Sequence, residues 1–223
     1  MTISISGYCP NTGQFGIAIS SSSIAVGQRC PWIQPGIGAV SSQNVTLPSL
    51  GPAVLAELDA GRNAEQALAI VMEQEPHRDF RQVTVIDALG RTAVWSGANT
   101  LGIWQSRQGE YCIAAGNMLA SEQVPEVAVQ QFMAREGELG ERLLSALEAA
   151  IAAGGEAGPV HSAALKVYGE PSWPLCDLRV DWADNPTVRL RELWTLWQPQ
   201  QQDYLVRALD PRLAPRYGVP GNE

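Results

Sequence analysis

The chain has 223 residues and a mass of 24.0 kDa, with 45% hydrophobic and 17% charged residues. Such a chain can build one packed core, and wholesale disorder is excluded. The net charge of -8 and a pI near 4.8 exclude a nucleic-acid partner recognised through clustered cations.

Only one cation, Lys166, is a lysine; the others are arginines. No apolar run approaches the roughly 18 residues of a membrane span. The opening MTISISGYCP has neither the basic region nor the apolar stretch of a secretory leader. Cys9, Cys30, Cys112 and Cys176 are scattered and form no C-x-x-C pair or Cys/His cluster. No metal site is indicated, and pairing of two cysteines in space stays open. A cytoplasmic protein with reduced thiols, no membrane partner and no nucleic-acid partner is expected.

In chain order, residues 2–7 alternate, with Ile3 and Ile5 on one face and Thr2, Ser4 and Ser6 on the other. A turn signal follows at Asn11-Thr12-Gly13, and residues 14–20 alternate again through Phe15, Ile17 and Ile19. The two runs predict an antiparallel hairpin. Pro31 and Pro35 bracket a loop, and residues 36–42 form a short buried strand. Residues 50–61 and 63–75 read as two helices, the second opened by Asn63 with Gln66 three residues on. Strands are expected at 81–87, 91–96, 101–105 and 111–115, with a polar turn at 107–109. Helices follow at 121–135 and 139–153, then strands at 161–168 and 175–182. Asn185-Pro186 opens a last helix carrying Val188, Leu190, Leu193, Leu196 and Trp197. No linker or repeat divides the chain. One domain over residues 1–223 is expected, with a core at about 2–197 and a peripheral tail at 198–223. Strand runs separated by helix pairs suit antiparallel sheets with helices on their outer faces.

Chemistry is suggested first at the amino terminus. Initiator methionine is expected to be removed before a residue as small as Thr2. A free α-amine with a pKa near 7.7–8.0 would then act as base for the adjoining hydroxyl. A purely structural Thr2 heading a strand remains the plain alternative. Asn117, in Gly116-Asn117-Met118-Leu119 between a strand and a helix, either stabilises an oxyanion or bonds the local backbone.

Several runs carry a resemblance. They include Thr2-Ile3-Ser4-Ile5, Asn11-Thr12-Gly13 and Gly16-Ile17-Ala18-Ile19-Ser20-Ser21, then Pro31-Trp32, Gly51-Pro52 and Arg81-Gln82-Val83. Others are Gly116-Asn117-Met118-Leu119, Ala153-Gly154-Gly155, Ser162-Ala163-Ala164-Leu165 and Asp177-Leu178-Arg179-Val180-Asp181. Over roughly residues 2–197 the chain resembles an uncharacterised bacterial and archaeal family, domain of unknown function 1028. That family is grouped with the N-terminal nucleophile (Ntn) hydrolases. The resemblance implies an α+β fold, an αββα four-layer sandwich of two antiparallel sheets flanked by helices. The opening hairpin is also similar to that of proteasome-type β-subunits, which support their threonine with a lysine. Lys166 lies in a late strand, far along the chain from that position, whereas Arg29 lies nearer it. An arginine can stabilise charge but is no base near neutrality.

Other candidates are substrate contacts. Gln43 ends a strand beside Asn44, and amides there either read a polar substrate or bond the loop. Trp32, between prolines, suits a pocket wall or an interface. His161 and Ser162 are adjacent in a strand and so point to opposite faces, which excludes a simple dyad. Asp177, Arg179 and Asp181 share a strand face, as an ion-pair ladder or as carboxylate recognition by Arg179. The leading expectation is an amidohydrolase for a small C–N substrate that uses Thr2 and Asn117 and no metal or other cofactor. The alternatives are a non-catalytic binding or scaffold protein on the same fold, and a hydrolase or isomerase using Glu156, His161 or Asp177. Tryptophans on the last helix favour a homo-oligomer.

Overall fold

Two alternating strands at the start of the chain set up the architecture. In the computed structural model, which describes residues 1–219 and 221, β1 (Thr2–Cys9) and β2 (Gln14–Ser21) form an antiparallel hairpin. Ile3 and Ile5 of β1 turn to one side, while Phe15, Ile17 and Ile19 of β2 turn to the other. Ser4 stands opposite Ile19, and Ser6 opposite Ile17. Each face of the hairpin therefore carries apolar residues, and each needs a covering layer.

Those layers come in order along the chain. A short helix α1 (Val26–Arg29) leads to β3 (Pro31–Gln34) and β4 (Gly38–Asn44). Helices α2 (Leu50–Asp59) and α3 (Ala64–Gln74) precede β5 (Arg81–Asp87), β6 (Thr92–Ser96), β7 (Gln105–Gly109) and β8 (Cys112–Asn117). Next are α4 (Val124–Ala134), α5 (Leu139–Ala152), β9 (Ser162–Tyr168), β10 (Cys176–Val180), α6 (Pro186–Trp197) and α7 (Gln201–Leu209). The larger sheet runs β10-β9-β2-β1-β8-β7 and the smaller β3-β4-β5-β6, with antiparallel neighbours throughout.

Helices α4, α5 and α6 cover the outer face of the larger sheet, and α2 and α3 cover that of the smaller one. The inner faces meet, β1 against β4 and β5, and β8 against β5. The chain is thus an α+β protein with the four αββα layers implied by its sequence. Among the described residues, no helix is long and apolar enough to cross a membrane.

Packing on the outer face depends on a cross-strand glycine pair, Gly7 opposite Gly16. A Cβ on Gly7 would lie 2.7 Å from the Phe132 ring, and one on Gly16 would lie 2.5 Å from Leu143. The missing side chains make room for α4 and α5 to press their largest groups onto the hairpin. Helix α3 starts at the expected cap. The Asn63 side chain accepts from the Gln66 amide, and the Gln66 side chain accepts from the Asn63 amide.

The structure corrects three stretches. Residues 31–34, expected in a loop, form β3, an edge strand where a proline costs no internal ladder bond. The strand expected at 101–105 lies instead at 105–109, and the turn moves to Glu110-Tyr111, where Tyr111 adopts φ 57°. The sequence QSRQG of β7 is polar because this strand also lies on a sheet edge. Part of the expected tail is helical: α7 buries none of its residues, yet Tyr204 stacks on Trp197 with ring centroids 5.2 Å apart. Positions 220, 222 and 223 of that tail lie outside the described residues. All four cysteines are free thiols.

Candidate functional site

Thr2 heads an interior strand of the larger sheet. It pairs with Ser21 of β2 on one side and with Asn117 of β8 on the other. Alternation along β1 sends Thr2, Ser4 and Ser6 to the inner face, between the sheets. Thr2 is 6% exposed.

The inner layer is polar at this end. Ser4 Oγ donates to Gln43 Oε1 at 2.8 Å, and Gln43 Nε2 donates to Gln82 Oε1 at 2.8 Å and to the Ala115 carbonyl at 3.0 Å. Gln82 Nε2 donates to the Gly116 carbonyl and to Ser96 Oγ, both at 3.1 Å. Asn117 Nδ2 donates to Gln82 Oε1 at 3.0 Å. Side-chain amides thus tie β1, β4, β5, β6 and β8 together beneath Thr2. Farther along the same layer the contacts are apolar, among Phe15, Ile17, Ile19, Ala39, Ile86 and Ala164.

The Thr2 hydroxyl sits in a chain of short contacts. Thr2 Oγ1 and Ser21 Oγ each donate to the Met1 carbonyl oxygen at 2.6 Å, and the two hydroxyls are 3.3 Å apart. Ser21 Oγ is 2.8 Å from Ser23 Oγ, which accepts from Arg29 Nη2 at 2.6 Å. Arg29 Nη1 also donates to the Ile24 carbonyl. The hydrogen-bond chain from Arg29 thus runs through the Ser23 and Ser21 hydroxyls to the Met1 carbonyl, to which the Thr2 hydroxyl also donates.

Ser162 Oγ donates to the Ser23 carbonyl at 2.6 Å and accepts from the Val26 amide at 3.2 Å, which fastens the turn before α1. The His161 amide donates to the Ser21 carbonyl at 2.9 Å. Its ring stacks on Trp182 at 4.3 Å, with Nδ1 3.3 Å from the Ala183 carbonyl. Backbone strain collects at the same end. Ala25, Asn44 and Met118 are non-glycine residues with φ of 54°, 70° and 50°. Such conformations cost energy and concentrate where neighbouring structure enforces them, as at working sites.

A carboxylate completes the group. Glu156 is 6% exposed and accepts from the Ser22 amide at 3.2 Å and from Ser20 Oγ at 3.4 Å. Burial pushes its carboxyl up to about 7, against the opposing pull of the chain's amino terminus and those two donors. The loop that carries it is held by Leu119 and Met118, with the Ala157 amide donating to the Met118 carbonyl at 2.8 Å. Cys30, the nearby thiol, is buried and pushed above its ordinary value by burial, so it is no thiolate nucleophile.

The structure therefore brings Thr2, Asn117, Arg29, His161 and Ser162 to one end of the sandwich. Gln43 lies in the same region but is fully buried within the amide network. Trp32 goes elsewhere, to the helix-covered side of the smaller sheet, where its ring fills the place of a Cβ on Gly51. Arg179 makes a two-pronged contact with Asp181, and Lys166 pairs with Asp177 at 3.5 Å. These pairings follow the ladder alternative. Ser21 and Ser23 are the group members not singled out as site residues by sequence, and Glu156 figures there only in the alternative hydrolase or isomerase reading. The only signals they give are four consecutive serines and an acid in a glycine-rich loop. A separate cleft of about 250 Å³, lined by Cys9, Gln14, Glu138, Trp194 and Leu205, lies at the opposite end of β1.

Residues 2–190 match the model of a family of unknown function, DUF1028. The chain is similar to the crystal structure of protein SPO2555 from Silicibacter pomeroyi, which is assigned to the same family. The TM-score is 0.83 and the identity 32%, over 91% of this chain and 89% of that one. It also aligns with Anbu, an ancestral beta-subunit from Yersinia bercovieri, at a TM-score of 0.39 and 11% identity, over 89% of this chain and 95% of that one. None of the curated proteins matches the chain.

Proposed function

The chain belongs to the DUF1028 family, a family of unknown function, and we propose that it is an Ntn-type amidohydrolase cleaving a C–N bond in a small amide, lactam or ureido compound. One observation carries this reading. The hydroxyls of Thr2 and Ser21 converge at 2.6 Å on the same carbonyl oxygen, that of the Met1–Thr2 amide. The site thus already holds an amide carbonyl against a nucleophilic side chain.

Removal of Met1 would leave the Thr2 α-amine beside its own Oγ1. The amine takes the Oγ1 proton, and Oγ1 bonds to the substrate carbonyl carbon. Ser21 Oγ donates to the developing oxyanion, as it now donates to the Met1 carbonyl. One amide hydrogen of Asn117 is fixed on Gln82, and the other is assigned to the oxyanion. The protonated amine then returns its proton to the leaving nitrogen as the C–N bond breaks. Water attacks the resulting ester, with the amine again as base, and regenerates Thr2. Arg29 steadies the Ser23–Ser21 pair, and the His161–Trp182 stack forms a flat wall beside the β2 end.

The test is turnover of a panel of small amides, lactams and ureides by protein whose loss of Met1 is verified by intact mass. Hydrolysis of at least one class is expected, with Thr2→Ala reducing kcat/KM at least a thousandfold and Thr2→Ser retaining part of it. Turnover left intact by Thr2→Ala, or none from fully trimmed protein, contradicts the reading.

A further inference from the structure

The two oxyanion donors proposed above stand on either side of Thr2, Ser21 on β2 and Asn117 on β8. Each is the last residue of its strand. Beyond each of them the chain leaves the sheet, so its course depends on other contacts. One residue reaches both exits. Main chain around Glu156 pairs with the exit from β8. Leu119 bridges to Glu156, the Ala120 amide donates to the Gly155 carbonyl at 3.0 Å, and the Ala157 amide donates to the Met118 carbonyl at 2.8 Å. Gly154 and Gly155, with φ of 117° and 56°, turn the chain from α5 into this pairing. The buried Glu156 side chain then reaches the exit from β2. Its Oε2 accepts from the Ser22 amide at 3.2 Å, and its Oε1 accepts from the Ser20 hydroxyl at 3.4 Å. Ser20 and Ser22 flank Ser21, and Ser20 lies opposite Ile3 on the outer face. Glu156 therefore grips the strand end from behind Ser21, whose hydroxyl points the other way, to Thr2 and the Met1 carbonyl.

We infer that Glu156 is a positioning residue: it ties the exit of β2 to that of β8, and so fixes Ser21 and Asn117 at the spacing that receives one oxyanion. The inference rests on the amidohydrolase reading above and adds the residue that holds its two donors in place. Both oxygens of Glu156 are engaged by Ser20 and Ser22, so it acts through the strand and not on the substrate. Preorganised donors lower a barrier only within hydrogen-bond reach of the developing charge, and a shift of about 1 Å forfeits much of the effect. The role needs an acceptor for the Ser22 amide and a partner for the Ser20 hydroxyl, but no charge. A glutamine meets both needs, with its oxygen toward the Ser22 amide and its nitrogen donating to Ser20 Oγ. A general base at this position would need the carboxylate itself.

The test compares Glu156→Ala with Glu156→Gln, each shown to fold by its melting temperature. In trimmed protein, on the amide that the wild type turns over best, Glu156→Ala should lower kcat about a hundredfold with KM changed less than about threefold. Glu156→Gln should stay within about fivefold of the wild-type kcat. Crystal structures of the same variants with Met1 retained give a readout free of turnover. The separation of Ser21 Oγ from Asn117 Nδ2 should change by more than about 1 Å in Glu156→Ala and return to the wild-type value in Glu156→Gln. Where Glu156→Ala does not fold, Ser20→Ala removes one of the two contacts and should lower kcat about tenfold, with a shift of the same sense. Wild-type kcat or an unchanged separation in the alanine variant overturns the inference. So does a Glu156→Gln variant as slow as Glu156→Ala, which would make the carboxylate a proton carrier. If the donors move in Glu156→Ala and the wild type hydrolyses no amide, the positioning role stands and the hydrolase reading falls. If the wild type hydrolyses an amide through Thr2 and Glu156→Ala does so equally, the hydrolase reading stands and the positioning role falls.

Discussion

The two faces of the larger sheet are built on opposite principles. The outer face, under α4 and α5, is hydrocarbon: Ile3, Ile5, Ala18 and Leu165 meet Phe132, Leu143 and Leu147. Around Thr2 the inner face is serines, an asparagine and two buried glutamines joined by directional bonds. β1 serves both, because its side chains alternate. Apolar burial is non-directional and tolerates small shifts. A buried amide network fixes positions but is costly wherever a partner is missing. The outer face accordingly supplies stability, and the inner face supplies placement of Thr2.

The contrast can be broken from either side. Phe132→Ala removes a fully buried ring from the outer face and should cost about 4 kcal/mol in a urea unfolding titration. A loss under about 1 kcal/mol would contradict the packing account.

Glu156 gives the next effect, in protein that retains Met1. Its folded value of about 7 lies above the ordinary carboxyl value of 4.5, so the folded state holds the proton more tightly between those limits. Stability should be fullest below about pH 4.5, fall as pH rises to about 7, and level off above it. The total is roughly 3 kcal/mol at most. Glu156→Gln should flatten that slope, and an unchanged slope would show that the acid is not buried as described.

Gln82→Ala comes third. It leaves Gln43 Nε2 and Asn117 Nδ2 without the oxygen they share and should cost about 2 kcal/mol. Catalysis should suffer beyond the stability loss if the network positions Asn117. The smallest effect has the opposite sign. Thr84, on the inner face of β5, has a buried hydroxyl without a partner. Thr84→Val keeps the shape and should stabilise by about 1 kcal/mol. A destabilised variant would mean that the hydroxyl is bonded.

Much of the sandwich was legible because period-2 alternation is a strong signal where one face is apolar. It placed the opening hairpin, and the Asn63 capping box placed α3. It failed at two of the four edge strands: β3 begins at a proline, and β7 is polar throughout, so neither carries an apolar alternation. Thr2 and Asn117 were legible as candidates from their types and positions. Their pairing across β1 and β8 was not, because register is a long-range property. Glu156 was weighed only within another reading, since an acid in a Gly/Ala loop is ordinarily solvated, and only the fold reveals its burial beside the amino terminus. Trp32 was singled out because a proline-flanked aromatic suits a pocket wall or an interface; its place on β3 beside Gly51 of α2 depends on strand pairing that local sequence does not carry.

The central claim is that Thr2, once freed of Met1, is the nucleophile. Treating trimmed protein with a β-lactone, an electrophile opened by hydroxyl nucleophiles, and mapping the adduct by peptide mass spectrometry tests it directly. A single addition on Thr2 is predicted, absent from Thr2→Ala and from protein that retains Met1. Fully trimmed protein that takes up no label, or a label on another residue such as Ser21 that survives Thr2→Ala, would contradict the claim.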